Sequence, residues 1–493
     1  MPERPNVMLI TADHWPGSLL GARENPIIQT PTLDQLARNG VLFTQAYSPC
    51  PMCIPARRSL MTGTTPRTHG DRIFEESLRM PPVTTLAQSF RAARYQAYAI
   101  GKLHVYPPRD RIGFNDVILE EDGRLQFGSL DDYEIFLGDH GYVGRAFSHG
   151  MSSNEYWYRP WHLSEELHAT NWATQQMARM IKRRDPTRPA FWYLSYRHPH
   201  PPLAPLQWYL EMYRAVDPGR PAIGEWARDA EALPYLLKTL RPRFEHLTPE
   251  QVAGARRAFC ALCTHIDHQI RVVIGTLWEE GILDSTIVLF TADHGDTLGQ
   301  HGLWAKRVLY ENSVNVPMIL MGVAGDQRVG HRRTDTRLVG LQDVMPTLQT
   351  LAGIPIPNTV EGLCMLGEEK RSWFYAESGE GNMGTRMIRG GRFKLIYYAA
   401  GNCVQIFDLQ EDPDELNDLA TSPAHAGVRE ELIQLLLREL YDSDASWVRD
   451  GKLVGLPDQP FEAKPNRDLS HQRGIHWPVS FPPEDLQRRG PLM

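Results

Sequence analysis

Val7-Met8-Leu9-Ile10-Thr11-Ala12-Asp13-His14 and Ile287-Val288-Leu289-Phe290-Thr291-Ala292-Asp293-His294 are two near copies of one pattern, 280 residues apart. In each, a run of apolar residues closes on Thr-Ala-Asp-His. A run that is apolar at every position marks a strand buried on both faces, as in a parallel sheet. Each strand therefore ends on an acid and an imidazole. In open α/β sheets ligands bind beyond the carboxyl ends of the strands, so two such ends can meet in space although they are far apart in sequence. Two carboxylates brought together repel, and a divalent cation between them removes the repulsion. Asp13, His14, Asp293 and His294 are candidate metal ligands on that ground. An Asp-His after a strand is also an ordinary loop cap, so the neighbours decide between the two readings.

The chain around these strands alternates short apolar runs with amphipathic helices. Thr30-Pro31 opens a helix through about Asn39, with Gly40 as its stop before the strand Val41–Phe43. Thr248-Pro249-Glu250-Gln251 supplies a cap, a proline at the first position and a glutamine three residues after the cap, and predicts a helix running towards Glu280. The strand Thr286 to Phe290 follows. This is an α/β pattern with a large, mostly parallel central sheet flanked by helices. From Trp373 the texture changes to strand-like pieces over Thr385–Arg389, Phe393–Tyr398 and Val404–Leu409, then a helix over Val428–Tyr441. The expected organisation is a catalytic domain over 1–372, a smaller α+β domain over 373–457, and an extended tail over 458–493 at the interface of a homo-oligomer.

Bulk properties narrow the class of function. The chain has 493 residues, 42% hydrophobic and 23% charged, in the range of a globular enzyme. Its net charge of -7 offers no general attraction for nucleic acid or an anionic membrane, so any anion site must be local. No apolar run approaches the roughly 20 residues that span a bilayer. The chain opens Met-Pro-Glu-Arg-Pro-Asn and enters its first apolar run at Val7, which leaves no room for a secretory signal and predicts a cytoplasmic protein. Six cysteines are too few for a disulfide framework in so long a chain. Cys50-x-x-Cys53 and Cys260-x-x-Cys263 offer an alternative four-thiolate zinc site, although the second pair falls inside a helix pattern, where it reads as small packed side chains.

Cys53-Ile54-Pro55-Ala56-Arg57, followed by Leu60-Met61-Thr62-Gly63, carries the chemistry. By ordinary cysteine chemistry Cys53 is a thiolate nucleophile activated by Arg57, or a buried thiol. The segment resembles the Cys-x-Pro-x-Arg and Leu-(x)-Thr-Gly element of the sulfatase family. Further elements resemble that family in order. They are Gly101-Lys102-Leu103-His104, then His198-Pro199-His200 with Pro202, then Asp293-His294-Gly295-Asp296 with Gln300-His301, Lys306 and Tyr310-Glu311. In the small domain, Arg392-Phe393-Lys394-Leu395 and Phe407-Asp408-Leu409 through Asn417 resemble it too.

The resemblance implies an alkaline-phosphatase-like sandwich and a sulfuric ester hydrolase of arylsulfatase type. It implies that Cys53 is oxidised to formylglycine by a formylglycine-generating enzyme. One hydroxyl of the aldehyde hydrate then attacks sulfur, and the other later expels sulfate. One divalent ion, Ca2+ or Mn2+, would be held by Asp13, His14, residue 53, Asp293 and His294. Arg57, Lys102, Lys306 and the metal would face the sulfate oxygens. Lys306 or His200 would protonate the leaving alcohol, and His104 would take a proton from the second hydroxyl. His301 is an orienting residue in this reading, and His198 has no role.

The chain departs from the family at His14. A branch resembling phosphonate monoester hydrolases and choline sulfatases has Asp-Gln at the first metal element, and imidazole suits transition metals better than hard cations. The metal is therefore open between calcium and manganese, with His14 either a ligand or not. Arg111 to Asp116 also resembles that branch, yet Lys102 and His104 are a pair that its phosphonate hydrolases tend to lack. Phosphonate monoester or phosphodiester cleavage is the second reading. A non-catalytic anion-binding protein with unconverted Cys53 is the third. The insert Tyr156-Trp157-Tyr158-Arg159-Pro160-Trp161 either walls the pocket or packs against the core.

Overall fold

The structure, a computed structural model, describes residues 4–121, 131–151 and 154–461. Most of the tail expected over 458–493 lies outside the described residues, and with it the oligomer interface assigned to it.

The strands of the main part are β1 (Asn6–Ala12), β2 (Val41–Phe43), β3 (Ala46–Tyr47), β4 (Gln96–Gly101), β5 (Asp116–Leu119), β6 (Ala190–Tyr196), β7 (Thr286–Ala292), β8 (Met318–Met321), β9 (Arg333–Asp335) and β10 (Val339–Gly340). Eight of them form one sheet in the order β5-β4-β6-β1-β7-β8-β2-β9, and β3 pairs with β10 apart from it. β1 is flanked by β6 and β7, in parallel with both, and every residue of β1, β6 and β7 is buried. This accounts for the unbroken apolar runs, because no face of these strands meets water. The sheet is mixed: β8 runs antiparallel to both β7 and β2.

Helix Pro249–Glu279 carries the expected capping box, with Thr248 and Gln251 each accepting the other's backbone N–H. It packs with helices Ala169–Lys182 and Pro31–Arg38, while Cys53–Thr62, Leu86–Ala92 and Val344–Ala352 form a second group against the sheet. Cys260 and Cys263 are buried within the first of these helices, and all six cysteines are free. Among the described residues Cys260 and Cys263 join no metal-binding group.

The small C-terminal sheet is antiparallel, β11 (Trp373–Ser378), β12 (Thr385–Gly390), β13 (Phe393–Tyr398) and β14 (Cys403–Asp408) in that order. Alternation along these strands sorts its two faces. Ile388, Leu395 and Ile406 pack with Leu432 and Leu436 of helix Ala426–Glu439. Met387, Ile396 and Phe407 face the other way and join Tyr47, Leu309 and Tyr310 of the main part. The small sheet is thus held between its own helix and the larger body.

Candidate active site

Register places the candidate residues along one edge. Ala12 pairs with both Tyr196 and Ala292, and Gly101 pairs with Ser195, so β1, β4, β6 and β7 end side by side. The next residues are Asp13-His14, Lys102 to His104, Arg197 to His200, and Asp293-His294. Helix Cys53–Thr62 points its first turn at this edge, and its spacing of four puts Cys53 and Arg57 on one face.

The side chains converge on Cys53. Its Sγ lies 2.7 Å from Lys306 Nζ, 3.3 Å from His294 Nε2 and 3.5 Å from Asp13 Oδ1. Lys102 Nζ donates to Asp13 Oδ2 at 2.6 Å. Arg57 Nε donates to Asp293 Oδ2 at 3.0 Å, and its Nη1 reaches Lys102 O and Ser195 Oγ, each at 2.7 Å. Asp293 Oδ1 in turn accepts the backbone N–H of His294 at 3.0 Å and of His14 at 3.3 Å. Asp13, Arg57, Lys102, Asp293 and His294 are all buried.

Burial on its own would raise the Asp13 carboxyl, but the Lys102 ammonium and the Arg57 guanidinium hold it well below the usual carboxylate range. Burial would likewise lower the Arg57 pKa, and Asp293, Tyr193 and Asp13 lift it above the ordinary value instead. Asp13 and Arg57 therefore stay charged away from water.

Three imidazoles share one tautomer, fixed by their acceptors. Nδ1 of His294 is 2.9 Å from Gly295 O, that of His200 is 2.6 Å from Pro201 O, and that of His14 is 2.8 Å from Asp296 Oδ2. Carbonyl and carboxylate oxygens only accept, so each Nδ1 carries the hydrogen; the Lys306 ammonium, 2.8 Å from His14 Nε2, meets a lone pair there, and burial disfavours a second proton on His200 and His294. The rings of His200 and His294 lie edge-on to His14, with centroids 4.3 and 4.5 Å away. Burial first, with the ammonium groups of Lys102 and Lys306 nearby, keeps His200 well below its ordinary pKa.

Asp13, His14, Cys53 and His294 each aim one donor atom into a space where all four atoms lie within 4.8 Å of one another. Asp293 stands beside this group and is engaged by Arg57. His104 follows Lys102 in a left-handed conformation, φ 61°, with its backbone N–H on Glu121 Oε1 at 2.8 Å and its ring edge-on to Phe74. His301 sits elsewhere, accepting the Gly224 N–H at 3.1 Å and packing on Trp226 and Tyr310.

A sulfatase family model matches residues 5–354, and the C-terminal model of N-sulphoglucosamine sulphohydrolase matches 299–442. The chain belongs to the sulfatase family. With that family it is a sulfuric ester hydrolase. This sulfatase is similar to an arylsulfatase of Clostridium perfringens (strain 13 / Type A), 33% identical over 474 residues that cover 92% of this chain and 98% of the relative. It is also similar to a choline-sulfatase of Rhizobium meliloti (strain 1021), 29% identical over 443 residues, 85% of this chain and 83% of the relative. Its fold is that of the phosphonate monoester hydrolase of Agrobacterium radiobacter, with a TM-score of 0.78 and 24% identity over 90% of this chain and 97% of that one. No helix among the described residues is long and apolar enough to cross a membrane.

Two residues beside the candidate site carry no role in the sequence motifs. Asp296 stands in the Asp-His-Gly-Asp segment and accepts from His14 Nδ1 at 2.8 Å. Tyr156, from the aromatic insert, donates its hydroxyl to Asp296 Oδ2 and packs on Trp304 with centroids 4.4 Å apart. Trp157 and Tyr158 of the same insert are exposed, so its members serve different ends.

Proposed function

We propose that this sulfatase cleaves aryl sulfate monoesters with formylglycine derived from Cys53 and one divalent cation. The observation that carries the proposal is the placement of Cys53 Sγ at the buried tip of a helix, within 3.5 Å of a carboxylate oxygen, an imidazole lone pair and an ammonium. A thiol so enclosed is poorly placed as a free nucleophile. A hydrated aldehyde there would present a hydroxyl to sulfur.

The residues fit a cation. Asp13 offers an anionic oxygen, and His14 and His294 offer bare Nε2 atoms. The Lys306 ammonium itself lies among these donors, 2.8 Å from His14 Nε2, which marks the spot as one that takes positive charge. Asp13, His14 and His294, with residue 53 and with Asp293 beside them, would hold Ca2+ or Mn2+, which would supply Lewis-acid polarisation of a sulfate oxygen.

The remaining steps use the chain's own groups. Lys102 and Lys306 bind the sulfate oxygens, and Arg57 fixes Asp293 and Asp13 so that the anionic side of the site does not collapse onto the substrate. Lys306 gives its proton to the leaving oxygen. His200 is less suited to that task, because its hydrogen sits on Nδ1 and is committed to Pro201 O. His104 takes the proton whose removal frees sulfate. A formylglycine-generating enzyme for maturation, a cytoplasmic location and a homo-oligomeric state belong to the same reading.

The test is kcat/KM on matched aryl sulfate and phosphonate monoesters, with formylglycine content measured in the same sample. Preference for the sulfate supports the proposal. Preference for the phosphonate overturns the substrate assignment and favours the phosphonate hydrolase reading.

A further inference from the structure

We infer that Asp296 and Tyr156 are positioning residues that lock His14 as a nitrogen ligand and so set the site for a first-row transition cation over calcium. The inference rests on the metal-dependent reading above and specifies which cation the site selects.

Asp296 is fully buried and its carboxylate is surrounded by donors. Oδ2 accepts from the Tyr156 hydroxyl and from His14 Nδ1, while Oδ1 accepts the backbone N–H groups of Leu298 at 3.0 Å and Ala305 at 3.1 Å. An acceptor held from four sides leaves the imidazole no choice of tautomer or ring angle. The backbone contributes as well: His14 sits at φ 70°, a left-handed conformation unfavourable for an L-residue, with its N–H on Asp293 Oδ1. Its Nε2 is then fixed toward the donors of Asp13, Cys53 and His294.

A histidine whose far nitrogen is anchored on a carboxylate is the arrangement that orients a metal ligand and raises its basicity. His294 has the same arrangement through Gly295 O, so two nitrogen donors enter one site. Calcium takes six to eight oxygen donors, whereas imidazole suits first-row transition ions. The bond from Tyr156 crosses 140 residues of sequence to reach Asp296 Oδ2, the same oxygen that His14 Nδ1 meets, so its loss bears directly on the anchor of His14.

The test uses the full chain, stripped with a chelator, dialysed against equal Mn2+ and Ca2+, and read by elemental analysis and by the melting temperature with each ion. Wild type is expected to retain Mn2+ at least about tenfold over Ca2+. His14→Gln, which exchanges the nitrogen for an oxygen, should shift the ratio toward Ca2+. Tyr156→Phe and Asp296→Asn should weaken Mn2+ retention by about 10- to 100-fold. Should Asp296→Asn fail to fold, Tyr156→Phe removes a single hydrogen bond and carries the measurement. An unchanged Mn2+ to Ca2+ ratio in His14→Gln, wild-type retention in Tyr156→Phe, or a wild type that prefers Ca2+ overturns the inference and leaves the proposed reaction standing. A wild type that turns over aryl sulfate while retaining neither ion overturns the metal reading as well.

Discussion

Two buried charge clusters in this protein use similar residue types to opposite ends. At the seam between the main body and the small domain, Arg386 holds Asp444 through two bonds of 2.7 Å each and gives its remaining N–H groups to the carbonyls of Ser378, Gly379 and Thr385. Arg72 joins Asp444, Glu377, Glu380 and Ser443 from the other side. Each guanidinium is surrounded by acceptors that it fits. At the strand ends, Arg57 Nη2 is buried without a hydrogen bond, and the Lys306 ammonium and the Cys53 thiol are packed against the Nε2 atoms of His14 and His294, a cation and a thiol standing among candidate metal ligands. Complete pairing makes a clamp. Incomplete pairing around one point makes a site, because the unmet donors and acceptors are what a ligand meets.

The contrast predicts that substitutions at the two clusters affect different quantities. The largest effect is expected from Cys53→Ala, which should lower kcat on an aryl sulfate by at least about 10^4-fold while leaving the chelator-treated protein's melting temperature close to wild type. Rapid turnover by that variant would remove Cys53 from the chemistry. Arg386→Ala should do the reverse. It leaves the Asp444 charge buried with one partner fewer, a loss of about 3–5 kcal/mol in denaturant unfolding, with kcat per folded molecule unchanged. An equal fall in kcat would erase the distinction between clamp and site.

Lys306→Ala should sharpen the account of the site itself. A lost proton donor lowers kcat by about 10^2-fold or more on an alkyl sulfate and by less on 4-nitrophenyl sulfate, whose leaving group needs no proton. Equal losses on both would assign Lys306 to sulfate binding alone.

The smallest effect concerns histidines that pack rather than react. His168, packed against the rings of Trp161, His198 and His265, is pushed down to about 3 by burial and then by Arg197. Its folded pKa lies below the ordinary 6.5, so the unfolded chain takes up the proton first. Its contribution to stability is complete above pH 6.5 and declines as pH falls towards about 3, by about 1.4 kcal/mol per pH unit. His168 also caps helix Ala169–Lys182 by accepting the Thr170 N–H. Asparagine can keep that cap without titrating, so His168→Asn should flatten the acid limb of a stability profile and leave the pH dependence of kcat unchanged.

The sheet and one edge of the site were legible because their signals are local. Continuous apolar runs ending in Thr-Ala-Asp-His marked β1 and β7, and Thr248-Pro249 with Gln251 marked the start of a long helix. The direction of β8 was not legible, since four apolar residues read the same either way and only the pairing with β7 and β2 decides. β11 was missed for a related reason: Trp373 to Ser378 mixes residues that pack on both faces of the small sheet. The bonds from Tyr156 to Asp296 and from Arg72 to Asp444 join residues 140 and 372 positions apart, where no spacing rule operates. Such bonds follow from the tertiary arrangement, and both of the contrasted clusters depend on them.

The central claim is that residue 53 reacts as formylglycine. Its most direct test is the mass of the peptide carrying Cys53, taken from protein produced with a formylglycine-generating enzyme and shown to hydrolyse an aryl sulfate. The account predicts a peptide that has lost hydrogen sulfide and gained oxygen relative to the cysteine form, in proportion to the activity of the preparation. An intact thiol in fully active protein would contradict it.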